Sequence, residues 1–117
     1  MSKEIINYVE FPVRDMEGTK RFFNEAFGWE YYDHGDDYAA IEKAGLHGGF
    51  FRSDLVAHTE NGSAKVVLYS ENLEDSLERV KKAGGKISKA IFEFPGGRRF
   101  QFTCPSGNEY AVWGDAK

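Results

Sequence analysis

Asp15-Met16-Glu17-Gly18-Thr19-Lys20-Arg21-Phe22-Phe23-Asn24-Glu25-Ala26-Phe27-Gly28 reads as one complete helical unit, and the chain carries a second version of it. Fifty-seven residues on, Asn72-Leu73-Glu74 stands where Asp15-Met16-Glu17 stood, Ala83 answers Ala26 and Gly85 answers Gly28. Asp and Asn both cap helix N-termini by accepting a backbone N–H. Met16, Thr19, Phe22, Phe23, Ala26 and Phe27 recur at helical spacing and define one apolar face, as do Leu73, Leu77, Val80 and Ala83. A glycine follows each pattern where a helix commonly stops. The same offset sets Val9 on Val66 and Phe11 on Leu68, so a β-prone run precedes each helix. A period this long marks one fold unit used twice.

Working outward, residues 5–13 read as a strand that Pro12 limits to an edge or an end. Short strands are expected at 29–33, 38–43 and 48–52, divided by His34-Gly35-Asp36-Asp37 and Lys43-Ala44-Gly45. The second half repeats the plan, with strands at 64–69, 87–94, 98–103 and 109–113. Its turns are Pro95-Gly96-Gly97 and Pro105-Ser106-Gly107-Asn108. The fold class is α+β, two tandem βαβββ modules in one domain. Module one covers 1–53, module two 63–117, and 54–62 connects them.

The 117 residues are one domain's worth and would bury about 65% of the unfolded surface, enough for a core without metals or disulfides. Ten phenylalanines lift the aromatic fraction to 15%, which supplies large side chains for a core and a pocket. The net charge is −4, and Lys81-Lys82 and Arg98-Arg99 are local pairs, so nucleic acid is not an expected partner. The single cysteine, Cys104, excludes an internal disulfide and suits the cytoplasm. No signal-like N-terminus and no run of membrane-spanning length stands in the sequence.

Three segments resemble the vicinal-oxygen-chelate superfamily, the glyoxalase, bleomycin-resistance and extradiol dioxygenase fold. They are Glu10-Phe11-Pro12-Val13-Arg14-Asp15 with Arg21 through Trp29, Leu73-Glu74-Asp75-Ser76 running to Ala83-Gly84-Gly85, and Cys104-Pro105-Ser106-Gly107-Asn108-Glu109. The resemblance implies a curved mixed sheet around a cleft between the modules, a homodimer, and a small-molecule ligand. It also implies four positions where active relatives hold a divalent metal. These fall here at Tyr8, Lys65, near Gly49 and at Ala111, a poor set for an ion that prefers imidazole, carboxylate or thiolate. No metal and no other cofactor is therefore expected. A relocated metal would need Glu10 together with His47 or Glu109.

The cleft is expected to hold Tyr8, Glu10, His47, Lys65, Tyr69, Arg98, Glu109 and Trp113 as ligand contacts. Glu10 would accept hydrogen bonds or act as a general base, or else pair with Lys65 or an arginine across the seam. Strand alternation puts Tyr69 with Lys65 and Trp113 with Glu109, and sends Arg98 and Arg99 to opposite faces. His34 and His58 are expected at the surface, and Cys104 as a turn residue. The resulting expectation is a glyoxalase- or bleomycin-resistance-like protein that binds a small organic ligand without the usual metal. The alternative is a glyoxalase-type lyase or isomerase.

Overall fold

The computed structural model describes residues 4–116. Strand β1 (Tyr8–Val13) leads into helix α1 (Met16–Phe27), then β2 (Glu30–Asp33), β3 (Tyr38–Glu42) and β4 (His47–Arg52). A 3-10 turn at Thr59–Asn61 sits in the connection. Then come β5 (Val66–Tyr69), helix α2 (Leu73–Lys82), β6 (Lys86–Phe94), β7 (Gly97–Thr103) and β8 (Glu109–Gly114). The strands form two four-stranded mixed sheets of matching order, β1-β4-β3-β2 and β5-β8-β7-β6. In each, the first strand runs parallel to the last and the rest are antiparallel. The fold class is α+β, as two tandem βαβββ modules.

The predicted caps form. Asp15 accepts from the Gly18 N–H at 3.0 Å and Asn72 from the Asp75 N–H at 3.1 Å. Gly28 ends α1 in the left-handed region at φ 77°, where a side chain is disfavoured. Its repeat mate Gly85 is needed for a different reason. A Cβ there would stand 2.7 Å from both Phe22 and Val80, because α1 of the first module crosses close to α2 of the second. β1 starts at Tyr8 rather than at residue 5, since its partner β4 begins at His47, opposite Tyr8.

Both sheets bury the same kind of face in the same place. Val13, Phe11 and Phe50 from the first sheet and Phe100, Phe102, Tyr110 and Val112 from the second belong to one core. Helix α1 lies within it. Phe23 packs on Phe50 (5.9 Å between centroids) and on Tyr110 (5.0 Å), while Phe22 meets Phe102 (5.7 Å). Phe11 of β1 touches Tyr110 of β8 directly, at 5.3 Å. Aromatic pairs at these separations add to the stabilisation from burial alone. The Arg79 guanidinium, from α2, donates to the Ala26 carbonyl at 2.6 Å and satisfies a carbonyl in the last turn of α1.

A polar pin fixes the modules in register. Asn108, fully buried, donates from Nδ2 to the Pro12 carbonyl (2.8 Å) and accepts on Oδ1 from the Ala57 N–H (2.8 Å). Buried Ser106 shares a 2.6 Å hydroxyl contact with Thr19 and accepts from the Asp15 N–H. The turn that reads as a simple hairpin in sequence thus ties β1, the start of α1 and the connection together. Replacing Asn108 with Ala should leave a part-buried carbonyl and a part-buried N–H without partners, at a cost of about 2 kcal/mol. Urea unfolding should show a lower midpoint at an unchanged slope.

Candidate functional site

Because the two sheets share one core through their helix-facing backs, their other faces point away from it. The fronts, defined by alternation, carry the chemistry. On the first sheet the front holds Tyr8 and Glu10 of β1, His47, Gly49 and Phe51 of β4, and Tyr38 of β3. On the second it holds Lys65, just before β5, with Tyr69, Glu109, Trp113, Arg99 and Gln101. Of the sequence-predicted residues, the structure brings Tyr8, Glu10 and His47 onto one front, and Lys65, Tyr69, Glu109 and Trp113 onto the other. It does not bring the two groups together: among the described residues no hydrogen bond or ion pair joins them. The expected Glu10–Lys65 pair is therefore absent from the chain. Glu10 is served by a tyrosine and Lys65 by Glu109 and Gln101.

The first front is organised by Tyr38, a residue that strand reading alone did not single out. Its hydroxyl donates to a Glu10 carboxylate oxygen at 2.9 Å and lies 2.6 Å from the Tyr8 hydroxyl. With its one hydrogen committed to the carboxylate, Tyr38 accepts from Tyr8. Burial, then the bonds to Tyr8 and Glu10, push the Tyr38 phenol well above its ordinary range. Gly49 faces Glu10 in the register, and a Cβ built there would fall on the Tyr38 phenol. Tyr38 thus occupies the space that a side chain at position 49 would need. No signal along one strand marks it: its place depends on β3 pairing Tyr38 with Phe51, two residues from Gly49 on the same face.

The second front is cationic and aromatic. Lys65 Nζ donates to Gln101 Oε1 at 3.2 Å and stands 3.6 Å from Glu109. Arg99 Nη2 donates to the same Gln101 oxygen at 3.0 Å. Trp113 packs edge-on against Tyr69 (4.9 Å) and Phe94 (6.3 Å), and the Tyr69 hydroxyl donates to Asp115 at 2.8 Å. Glu109 is 8% exposed and occupied by the connection, accepting from the Thr59 hydroxyl (2.6 Å) and N–H (3.1 Å), with His58 at 3.7 Å. Burial works to raise its pKa, but the two Thr59 bonds, Lys65 and His58 outweigh it and hold the carboxyl below the usual glutamate range.

Arg98 does not sit on this front. It lies on the helix side of β7 and pairs with Glu74 of α2. Alternation sends its neighbour Arg99 forward instead, so the arginine that reaches the front is Arg99. Cys104 is buried in the turn, and burial pushes its thiol up, away from a reactive thiolate. A cavity of 880 Å³ runs along the seam between the modules on the back side. Val9, Phe11, Trp29, Ile41, Val66 and Leu68 line it, and Tyr69 is the one sequence-predicted residue at its wall.

The four positions where a divalent metal would be held do not fit one. Tyr8 is tied to Tyr38, Lys65 brings a cation, Gly49 is covered by the Tyr38 ring, and buried Ala111 offers only a methyl. Glu10 and Glu109, the acids a relocated site would use, lie on different fronts. Among the described residues no three His, Cys, Asp or Glu side chains cluster to hold a metal.

Two tandem βαβββ modules, each with a helix-covered back and an open front, define a glyoxalase-like fold. The sequence matches the Glyoxalase/Bleomycin resistance protein/Dioxygenase superfamily over residues 5–112, and the chain belongs to it. No curated protein matches it. Among solved structures, it is similar to a glyoxalase-related enzyme from Fulvimarina pelagi, with TM-score 0.79 and 17% identity, over 97% of this chain and 89% of that one. It is also similar to TnmS3, an antibiotic binding protein from Streptomyces sp. CB03234, with TM-score 0.73 and 17% identity, over 99% of both chains. A third is a glyoxalase/bleomycin resistance protein/dioxygenase family enzyme from Burkholderia phytofirmans PsJN, with TM-score 0.74 and 15% identity, over 94% of this chain and 98% of that one. At these identities the likeness is one of fold.

The lowered Glu109 pKa has a pH consequence with a definite sign. The unfolded chain binds a proton at this carboxyl more readily than the folded one, so folding stability rises with pH through the window between the two values. The contribution is complete above the ordinary value of 4.5 and is lost as pH falls through the folded value. Glu109→Gln should therefore be less stable than the parent at pH 7, and the difference should shrink toward pH 3. Chemical denaturation across that range measures it.

Proposed function

We propose that this protein binds a small organic molecule on its sheet fronts without a resident divalent metal. The observation that carries this reading is the donor set. A phenol, a bare glycine under a tyrosine ring, an ammonium and a methyl stand where active members of the fold place metal-binding groups. What remains on the fronts is hydrogen-bonding and aromatic surface suited to an organic ligand: Tyr8, Glu10 and Tyr38 on one, Lys65, Tyr69, Arg99 and Trp113 on the other. That TnmS3, a protein of similar fold, is an antibiotic binding protein supports ligand binding as a use of this scaffold. Fold alone does not decide function, so the argument rests on the side chains.

A second copy of the chain completes the cleft in this reading. The shared core turns the two fronts outward, and β1 and β5 each end a sheet with one edge unpaired among the described strands. The fronts are complementary in charge. The first shows Glu10 and Glu42, and the second Lys65, Lys89 and Arg99 against Glu109 and Asp115. Facing the first front of one copy with the second front of its partner would unite the residues that the single chain keeps apart. The single buried cysteine fits the reducing cytoplasm.

Two measurements test the reading. Metal-stripped protein offered Ni2+, Zn2+ or Mn2+ and then dialysed should retain far less than one equivalent by elemental analysis. Tight stoichiometric retention, lost on Glu10→Ala, overturns the metal-free assignment. Light scattering behind size exclusion should give twice the chain mass, and a single-chain mass at high concentration overturns the paired cleft.

A further inference from the structure

We infer that the front of the second sheet is a subsite for an aromatic carboxylate, with Arg99 as its anion-binding group and Trp113 with Phe94 as its flat wall. This deepens the metal-free reading above and rests on it. The argument starts from an imbalance of charge. Arg99 has no carboxylate within ion-pairing distance among the described residues. Its guanidinium sits over Phe92 (5.6 Å) and Phe94 (5.9 Å) and donates to the neutral Gln101 oxygen. Lys65 donates to that same oxygen, so two cations flank one uncharged acceptor. Lys89, 4.2 Å above the Phe92 ring, likewise has no carboxylate partner among the described residues.

Against these three cations the front offers two carboxylates: Asp115, which takes the Tyr69 hydroxyl at 2.8 Å and has no ion pair with any of the three, and Glu109. Glu109 is buried, bonded to Thr59 through both hydroxyl and N–H, and paired with Lys65 at 3.6 Å, so neither acid neutralises Arg99 or Lys89. Two like charges drawn to one neutral oxygen repel, and an anion placed between them relieves that repulsion. The guanidinium has five N–H groups in a planar fork, and Gln101 takes one of them. An edge is left that matches a carboxylate with two parallel bonds. Cation–π contact with Phe92 and Phe94 holds the guanidinium in place without neutralising it.

The second half of the recognition is apolar. Trp113 is flanked by Tyr69 and Phe94, and Phe94 also lies under Arg99. The anion site and the aromatic wall are therefore adjacent. An occupant that uses both carries a flat ring a short distance from a carboxylate. Strand β6 arranges this through register irregularities between Ile87 and Phe92, which re-aim Lys89 and Phe92 relative to a regular strand.

The probe is 3-phenylpropanoate, compared with 3-phenylpropan-1-ol and 3-phenylpropylammonium, titrated into the full-length chain. The readout is the two indole N–H signals in a 15N-correlated NMR spectrum. The acid should shift the Trp113 signal saturably and leave that of buried Trp29 in place. Arg99→Met, which keeps the apolar stem, should weaken binding about tenfold or more, the scale of a lost charge-assisted bond. Arg99→Lys should recover part of the loss, and Arg98→Met, on the helix side, should change nothing. If the alcohol or the ammonium moves Trp113 as strongly as the acid, or if Arg99→Met binds the acid as well as the parent, the inference falls. The metal-free reading then still stands on its own metal-retention test. If none of the three probes moves Trp113, the inference falls as well.

Discussion

Everything about the site follows from one packing choice: α1 is buried between the backs of both sheets. Phe23 touches Phe50 of the first sheet and Tyr110 of the second, and Phe11 reaches Tyr110 without an intermediary. Apolar area removed from water stabilises by about 25 cal/mol per Å², so one helix that buries apolar area against both sheets couples the two modules into a single core. The geometric consequence is strict. Backs that share a core send their fronts to opposite sides, and the polar residues on those fronts cannot meet within one chain. The duplication therefore yields two polar fronts facing outward.

The polar contacts around that core convert affinity into register. An aromatic interface tolerates sliding, since rings pack at many offsets. Asn108 does not, because both ends of its amide are committed, one to the Pro12 carbonyl and one to the Ala57 N–H. Ser106 and Thr19 repeat the logic one turn away. Buried polar groups cost when unpaired and specify one arrangement when paired. The same turn positions Glu109, whose carboxylate accepts from Thr59 and so closes the connection onto β8. Glu109 stands on the front, yet its first task is to hold the connection in place.

Local signals were fully legible in the sequence. Asp15 and Asn72 cap, Gly28 terminates, and alternation correctly divides Tyr69 and Trp113 from Val66 and Val112. These depend on nearest neighbours, where residue type decides conformation. The missing information was of another kind. The repeat makes Tyr8 and Lys65 equivalent, but equivalence says nothing about whether the two units pack front to front or back to back. Burial of Phe11, Phe50, Phe100 and Phe102 is compatible with both until helix α1 is placed. Tyr38 escaped because its role needs β3 in register beside a glycine of β4, a relation between strands rather than along one. Choosing Arg99 over Arg98 required knowing which face of β7 the helices cover, and Glu74 on α2 supplies that answer.

The two fronts descend from equivalent positions but have diverged in charge, and the divergence explains why a metal is a poor fit to either. A divalent ion needs several anionic or imidazole donors converging on one point. On the first front the one convergent carboxylate, Glu10, already takes the Tyr38 hydrogen, and the glycine beside it leaves room for a ring rather than a ligand. On the second, Lys65 stands at the repeat-equivalent position, so the local field repels cations and attracts anions. Tyr8, Tyr38 and Glu10, bonded in a row, gather acceptor oxygens on the first front. Lys65 and Arg99, crowded around Gln101, gather cationic donors on the second. Held on different sheets by a shared core, these two chemistries do not cancel each other, and the scaffold preserves a polarity that direct contact within one chain would have neutralised.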